Sequence, residues 1–222
     1  MATSAGVVLS VDDQWRLIAA TPRVVGDARA NAFGSAAVID ANDDELVLLT
    51  AEHLVRTGQR SYEFFSKESH PNPAATLSIA ESVKWSSKST DLAIVKIPIP
   101  KEMKDRVWSV IPIAAIGERP KLFPFDAFSI GCTKGAAPSV SEESVISKRV
   151  AKRDEMNMAF FWESNLEPQS GRSGGPLISA DGKLIGLCAA ATNKHGYYTH
   201  LDEIQVALKK NGYKSLVPQV KK

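Results

Sequence analysis

Residues 171–176, Gly-Arg-Ser-Gly-Gly-Pro, place Ser173 in a glycine-rich turn directly before the strand-like run LISADGKLIGL. Glycines let the backbone approach a bound molecule closely and turn successive N–H groups into one hollow, which is the geometry of an oxyanion hole. A tight turn at the start of a hairpin requires glycines as well, so the motif alone leaves a purely structural role open. Ser173 is a candidate nucleophile, provided that the chain also supplies a base.

Short apolar runs rich in Val, Ile, Leu and Phe recur along the rest of the chain and alternate with polar turn-forming clusters. Many strands at roughly 8–12-residue spacing are typical of an all-β sandwich or barrel and not of alternating βαβ units. Two hairpins are expected, VIDANDDELVLL and PLISADGKLIGL, because Asn, Asp and Gly tolerate the positive φ that their turns require. The strand-like runs are AGVVLSV, GSAAVID, ELVLLTA, SYEFF, ATLSIA, DLAIVKI, AFSIG, SVISKRV, MAFFWE, GGPLIS, KLIGLCAA and GYYTHL.

Only the end of the chain has a clear helical pattern. In LDEIQVALKKNGY, apolar residues recur at helical spacing over residues 201–208, acids occupy the first turn and lysines the last, and an Asn-Gly pair at 211–212 supplies a stop. A Pro-rich stretch over about residues 97–124 separates two strand-rich halves. The fold class is therefore predicted to be mainly β.

Composition is that of an ordinary globular chain of 222 residues, long enough to bury a sizeable core. The formal net charge of +2 comes from mixed charges, so neither nucleic acid nor an anionic membrane is an expected partner. No membrane span or export signal is evident, which predicts a soluble protein, cytoplasmic if the N-terminus is native and periplasmic or secreted if a signal was removed. Cys132 and Cys188 lie in apolar runs without metal-ligand or CxxC spacing, which favours buried free thiols.

A serine hydroxyl is a weak nucleophile at neutral pH and needs a neighbouring base, usually a histidine that a third group holds in the right tautomer. Among the four histidines, His53 ends the strand-like run ELVLLTAEH, so its ring would project from a rigid element. Surface or structural roles are expected for the others, His70, His195 and His200. Asp91 opens the run DLAIVKI, a position that simple turn-forming carboxylates also occupy.

Three motifs in this order, LLTAEHLV, DLAIVKI and GRSGGPL, resemble those of the chymotrypsin/trypsin superfamily of serine peptidases. The resemblance covers about residues 34–211 and implies a triad of His53, Asp91 and Ser173. It further implies an oxyanion hole formed by the backbone N–H groups of Gly171 and Ser173, each typically contributing about 3 kcal/mol.

The fold implied by this resemblance is two six-stranded antiparallel β-barrels and a C-terminal helix, in one peptidase domain over residues 1–222. The expected parts are a first barrel over about 6–100, a connection over about 97–124, a second barrel over about 125–200 and a helix over about 201–211. The segments SIGCTKGAAPSVSEESVIS and GSAAVID and the scarcity of cysteine are more similar to bacterial HtrA (high-temperature-requirement) and related peptidases than to digestive trypsins. No PDZ domain is expected, and the two cysteines match no disulfide pair of the family.

By the same resemblance, Ser173 would attack the scissile carbonyl of a protein or peptide substrate, and His53 would take its proton and return it to the leaving amine. Asp91 would hold His53 in the right tautomer and stabilise the imidazolium. Neither a metal nor an organic cofactor is implied.

The resemblance places five residues around the specificity pocket, with Glu167 near its base. An acid there would favour Lys or Arg before the cleaved bond through charge pairing. The favoured interpretation is nonetheless an exposed surface glutamate, because glutamate is rarely buried unpaired and this loop lacks the family's disulfide. The other four residues are Ala189, Ala190 and Ala191 along one wall and Gly196 on the opposite strand.

Two departures from the family concern residues around the site, one of them its activation and the other the support of Asp91. Arg172 stands where trypsins carry an aspartate that pairs with the new N-terminus after zymogen cleavage. The segment PRVVG at residues 22–26 is similar to an activation site, but it is not expected to act as one without that aspartate. Ala189 replaces a serine that in many relatives hydrogen-bonds the triad aspartate, so Asp91 is expected to depend more on backbone donors.

Two alternative functions remain open from the sequence. One is a protease-like fold that is silenced or regulated and serves as a binding module. The other is a chymotrypsin-like acyl-transferring or self-processing protease of viral type, which shares the chemistry and differs in substrate. A complete triad with its glycines favours catalysis over the binding module, because a non-catalytic scaffold has no physical need for all of these groups.

Overall fold

The computed structural model describes residues 8–26, 33–56, 60–78, 82–115, 118, 120–152, 157–192 and 194–218. Strands dominate this part of the chain and form two antiparallel sheets, which confirms the predicted mainly β, chymotrypsin-like class. The strands of the first sheet are β1 Arg23–Val25, β2 Phe33–Ala41, β3 Glu45–Thr50, β4 Ser61–Phe64, β5 Ala75–Leu77, β6 Ser82–Ser87 and β7 Leu92–Pro98. Those of the second are β8 Phe125–Gly131, β9 Ser139–Lys152, β10 Met158–Ser164, β11 Pro176–Ile178, β12 Leu184–Thr192 and β13 His195–His200.

The first sheet has seven strands in the order β5-β4-β1-β2-β3-β7-β6, one more than the six expected. The additional strand is β1, which comes from the PRVVG segment and pairs with β2 on one side and β4 on the other. Cleavage after Arg23 would therefore cut a strand that is hydrogen-bonded on both edges. The segment is therefore part of the first sheet.

The second sheet closes into a six-stranded barrel in the order β10-β13-β12-β11-β8-β9. Its interior is filled by large side chains, among them Trp162, whose indole Nε1 donates to the carbonyl oxygen of Ile185 over 2.8 Å. The stretch between Pro98 at the end of β7 and Phe125 at the start of β8 connects the two sheets. One apolar core includes side chains from both sheets and both helices, for example Leu17, Leu49, Ile94, Leu187 and Leu208.

Both predicted hairpins are confirmed. In the first, the Asn42 side-chain oxygen accepts from the N–H groups of Asp44 and Glu45, each over 2.9 Å, and so closes the turn between β2 and β3. In the second, Gly182 supplies the positive φ, 76°, between β11 and β12. Turn composition was sufficient to place both, because each turn is stabilised by its own residues.

The helix α1, Val11–Ala19, was not predicted. The prediction of a strand over the run AGVVLSV is wrong at its end, because its last residue opens this helix; its first three residues lie outside the described ranges. Ser10 caps the helix, since its Oγ accepts from the Asp13 N–H over 3.1 Å, and Leu17 and Ile18 are buried in the shared core. The apolar run before the cap concealed the Ser-x-x-Asp start signal.

The predicted C-terminal helix is confirmed as α2, Leu201–Lys210, with Asn211 as its C-cap. His200 is its N-cap and accepts from the Asp202 N–H at Nδ1 over 3.0 Å. His200 is fully buried, with its ring centroid 3.9 Å from that of Trp162 and the two rings tilted by 40°, which confirms the structural role expected for it. No helix in the described ranges is long and apolar enough to cross a membrane.

Cys132 and Cys188 are buried free thiols, as the sequence predicted. Burial raises the pKa of the Cys132 thiol to about 11 and that of the Cys188 thiol to about 12. Only the thiolate reacts readily with alkylating and disulfide reagents, so both side chains should be inert in the native protein.

We predict that an aromatic disulfide reagent at pH 8 leaves both thiols of the native protein unmodified and titrates two thiols per chain after unfolding. The variant Ala180→Cys, at an exposed position in the turn between β11 and β12, is the positive control and should react at once. Modification of either native thiol at the rate of the control would contradict the burial of these side chains.

Candidate active site

His53 and Asp91 are brought together by the pairing of β3 with β7, in which Thr50 lies opposite Ala93. A 3₁₀ turn, Glu52–Leu54, follows β3 and carries His53, while Asp91 directly precedes β7. The His53 Nδ1 lies 2.8 Å from Asp91 Oδ2 and 3.0 Å from Oδ1. A carboxylate only accepts hydrogen bonds, so Nδ1 carries the proton and Nε2 keeps its lone pair.

The two partners differ sharply in exposure. The Asp91 side chain is 1% exposed, whereas that of His53 is 33% exposed, so the imidazole presents its other nitrogen toward the surface. Asp91 also accepts from the backbone N–H of His53 over 3.1 Å. This is a backbone donor of the kind expected where Ala189 replaces a serine. Asp91 adopts a left-handed φ of 50°, a conformation that aspartate tolerates better than most residues.

Ser173 lies in the turn between β10 and β11, where backbone hydrogen bonding is incomplete. Three of the five N–H groups of residues 171–175 donate within the chain, to the carbonyl oxygens of Gln169, Arg172 and Cys188. The N–H groups of Gly171 and Ser173 donate to no acceptor among the described residues. They are the same two groups that the sequence assigned to an oxyanion hole.

The orientation of the Gly171 N–H is set by the peptide bond that it shares with Ser170. The Ser170 carbonyl oxygen accepts from the N–H of Lys134, in the loop after β8, over 2.7 Å. In a trans peptide the C=O and N–H point in opposite directions, so this bond turns the Gly171 N–H away from that loop. A reversed peptide would lose this bond.

Ser35 in β2 holds the glycine-rich turn against the first sheet, a role that no sequence motif predicts. Its N–H donates to the Ser173 carbonyl oxygen over 2.8 Å, and its Oγ donates to the Gly171 carbonyl oxygen over 2.8 Å. The same Oγ accepts from the Cys132 N–H over 2.9 Å. Ser35 is completely buried in the run GSAAVID, where only its polarity among apolar neighbours could have signalled a role.

Gly174 shows why the turn needs glycine at this point. A Cβ on Gly174 would lie 2.2 Å from the Ser35 carbonyl oxygen and 2.5 Å from Thr50 Oγ1, and φ is 79°. No other residue fits there. The close approach of Gly174 to Thr50 places the neighbouring Ser173 near the end of β3, the strand that precedes His53.

Ser173 is half-buried, and no hydrogen bond joins its Oγ to the His53 Nε2 within the described residues. In active sites without substrate this contact is often long and tightens on binding. The structure thus brings His53 and Asp91 into direct contact and places Ser173 in the adjacent loop.

The residues assigned to the specificity pocket lie close together on β12, on β13 and in the loop after β10. Ala191 pairs with Gly196 in register, and a Cβ on Gly196 would meet the Leu166 carbonyl oxygen and the Pro168 ring within 3 Å. Ala189 is buried, Ala190 half-buried and Ala191 exposed. Glu167 is exposed, in agreement with the interpretation that the sequence favoured, and a basic-residue preference stays a prediction.

A polar cavity of about 360 Å³ lies beside the glycine-rich turn, between that turn and β9. Its lining residues are Thr133, Ser139, Ser141, Glu143, Leu166, Glu167, Pro168, Gln169 and Arg172. Glu143 is buried and accepts from the Tyr198 hydroxyl. Among the described residues, no cluster of His, Cys, Asp or Glu side chains is arranged to hold a metal ion.

The sequence profile of the trypsin-like peptidase domain matches residues 34–187. The chain belongs to the trypsin-like peptidase family. A comparison with curated proteins gives no significant match. The resemblance to the chymotrypsin/trypsin superfamily is confirmed.

Solved structures of similar fold include bacterial proteases. Rv3671c from M. tuberculosis H37Rv, as the inactive form of a serine-to-alanine mutant, has a TM-score of 0.71 at 14% identity, with 98% of each chain covered. A variant of the HtrA-type protease AlgW with a tripeptide has a TM-score of 0.68 at 16% identity, covering 93% of this chain and 64% of that one. The serine endoprotease from Yersinia pestis has a TM-score of 0.68 at 19% identity, covering 94% and 69%. At these identities the likeness shows the fold alone.

Glu143 generates a prediction for the pH dependence of stability in this trypsin-like domain. Burial is the main cause that raises the pKa of the Glu143 carboxyl above its usual value. The native state therefore binds more protons than the unfolded state between the unfolded and the raised pKa, and stability falls as the pH rises through that window. Glu143→Gln removes this titration, so the variant should gain free energy of unfolding relative to wild type as the pH rises from 4 to 8.

The gain should appear only as the pH rises through the window between the unfolded and the raised pKa of Glu143. Denaturant unfolding at both pH values measures it. Glu142→Gln, at the exposed neighbouring position in β9, is the matched control and should show no such gain. A difference between Glu143→Gln and wild type that does not change with pH would contradict the buried, ionisable carboxyl.

Proposed function

We propose that this trypsin-like domain is a serine endopeptidase that hydrolyses peptide bonds through His53, Asp91 and Ser173. The observation that carries the proposal concerns the backbone N–H groups of Gly171 and Ser173, on either side of Arg172. Neither group donates a hydrogen bond to an acceptor within the described residues. Buried or half-buried backbone donors are almost always satisfied, so a turn that leaves two of them free beside a serine is suited to an external acceptor. The carbonyl oxygen of a scissile peptide is such an acceptor.

In the proposed reaction, Ser173 Oγ attacks the carbonyl carbon of the scissile peptide while His53 Nε2 takes the hydroxyl proton. The C=O π electrons move to the oxygen, which becomes an oxyanion and accepts from the N–H groups of Gly171 and Ser173. The tetrahedral species then collapses, the C–N bond breaks, and the leaving amine receives the proton from Nε2. An acyl-enzyme on Ser173 remains.

Water completes the cycle by the same route. Nε2 takes a proton from the attacking water, a second oxyanion forms in the same place, and its collapse returns the proton to Ser173 Oγ. Asp91 stabilises the imidazolium in both halves and keeps Nδ1 protonated, because its buried carboxylate contacts that nitrogen with both oxygens.

A silenced, protease-like binding module is the second candidate. The observation in its favour is that no hydrogen bond joins Ser173 Oγ to His53 Nε2 within the described residues. If that separation persisted with substrate, the serine would not be activated. The peptidase and the binding module differ in one testable property. In the peptidase, Ser173 reacts with an electrophile that does not react with serines lacking a catalytic base.

We predict that a fluorophosphonate probe forms a covalent adduct with the wild-type chain on Ser173 and that Ser173→Ala abolishes labelling. Labelling should be lost in His53→Ala as well, because the base is removed. Ser215→Ala, in an exposed turn after α2, is the matched control and should label like wild type. Gel fluorescence and intact mass report the adduct.

Two results would contradict the peptidase proposal. One is a folded wild-type chain, shown by a cooperative thermal transition, that forms no adduct. The other is labelling that survives in Ser173→Ala. A folded, unlabelled chain that bound a protein partner tightly would favour the binding module.

A further inference from the structure

Arg172 lies between the two proposed oxyanion donors, yet its own side chain turns away from them and is 5% exposed. The guanidinium reaches the hairpin formed by β8 and β9 near its connecting loop. Its Nη2 donates to Ser129 at the carbonyl oxygen over 2.6 Å and at Oγ over 2.7 Å. A Cβ on Gly131 would lie 3.2 Å from the Arg172 Cβ, so the side chain packs directly on the β8 backbone.

The second terminal nitrogen of the guanidinium, Nη1, contacts both strands of the same hairpin next to its loop. Nη1 donates to Thr133 Oγ1 over 3.2 Å and to the carbonyl oxygens of Gly131 and Ser139, each over 3.4 Å. Gly131 and Ser139 form the last pair between β8 and β9. Arg172 thus joins the glycine-rich turn to both strands at once.

All of these acceptors are uncharged. Within the described residues, no ion pair of 4.0 Å or less is formed by Arg172, and its charged neighbour across the polar cavity is the buried Glu143, whose carboxyl pKa is raised by burial and lowered in part by the Arg172 charge. A buried cation is tolerated only where hydrogen bonds replace its lost hydration, and the planar guanidinium does this with donors in fixed directions. The side chain therefore has one favourable position, and the backbone of the turn is fixed with it.

The hairpin held by Arg172 also holds the Gly171 peptide. Lys134, whose N–H fixes the Ser170 carbonyl, lies in the loop between β8 and β9. The next residue of that loop, Gly135, accepts at its carbonyl oxygen from Arg23, which is paired with Glu63 in the first sheet. Arg172 and Lys134 therefore fix the turn from both sides of Gly171.

We propose that Arg172 is a positioning residue that keeps the oxyanion donors of Gly171 and Ser173 in working orientation without proteolytic activation. It replaces, with an internal cation and neutral acceptors, the contact between an aspartate and a cleaved N-terminus that trypsins place at this position. The segment similar to an activation site supports this, because it lies in β1 between two other strands. The inference rests on the proposed peptidase function.

The test compares Arg172→Ala with wild type in hydrolysis of a peptide ester. Loss of one oxyanion donor typically lowers kcat by about 10²–10³-fold, so kcat should fall at least 100-fold while KM changes little. Free guanidinium at millimolar concentration should restore part of kcat, because it fills the space that the side chain leaves. Arg149→Ala, an exposed arginine on β9, is the matched control and should keep wild-type kcat with no response to guanidinium.

Hydrogen exchange of the peptide over residues 168–176 supplies a readout that does not depend on activity. It should quicken in Arg172→Ala and not in Arg149→Ala. If Arg172→Ala does not fold, Arg172→Lys tests the proposal instead. Lysine keeps the positive charge but lacks the planar set of N–H donors of the guanidinium, so kcat should fall at least tenfold.

Three outcomes would overturn the proposal. They are a folded Arg172→Ala with kcat within twofold of wild type, an Arg172→Lys with kcat within twofold of wild type, and exchange over residues 168–176 that Arg172→Ala leaves unchanged. A lower melting temperature with unchanged kcat would assign Arg172 a structural role only. Inactivity of the wild-type chain would instead count against the peptidase function and is distinguished by its failure to react with the fluorophosphonate probe.

Discussion

Ser35, completely buried in β2, joins the two sheets at the point where the candidate active site is assembled. Its N–H and Oγ donate to the carbonyl oxygens of Ser173 and Gly171, and its Oγ accepts from Cys132 at the end of β8. Its own carbonyl oxygen accepts from Thr50 Oγ1 at the end of β3. A buried serine with every polar group satisfied has one arrangement, so the glycine-rich turn has one position relative to the first sheet.

That position matters because the reacting groups come from both sheets. The pairing of β3 with β7 in the first sheet brings His53 and Asp91 together, whereas Ser173 lies in a loop between two strands of the second sheet. The shared apolar core holds the sheets together without direction, since apolar burial fixes no angle. Directional contacts must therefore align the glycine-rich turn with the first sheet. They are the hydrogen bonds of Ser35, the close contact of Gly174 with Thr50, and the hydrogen bonds of the Arg172 guanidinium.

The candidate site was largely predictable from the sequence, and parts of the fold were not. The motifs around His53, Asp91 and Ser173 are local, and hairpin turns and the helix α2 are specified by their own residues. The seventh strand β1 and the helix α1 were missed, because a three-residue strand has almost no periodicity and the apolar run before Ser10 concealed a cap. The roles of Ser35 and Arg172 depend on acceptors about 140 and about 40 residues away in the chain, which no local pattern reveals.

The most direct test of the account is a crystal structure of the chain after reaction with diisopropyl fluorophosphate. We expect one diisopropylphosphoryl adduct, on Ser173 Oγ with fluoride as the leaving group, and its phosphoryl oxygen within about 3.1 Å of the backbone nitrogens of both Gly171 and Ser173. The Ser170 carbonyl should still accept from Lys134. A phosphoryl oxygen directed away from both nitrogens, or a Ser170–Gly171 peptide turned over relative to this structure, would contradict it.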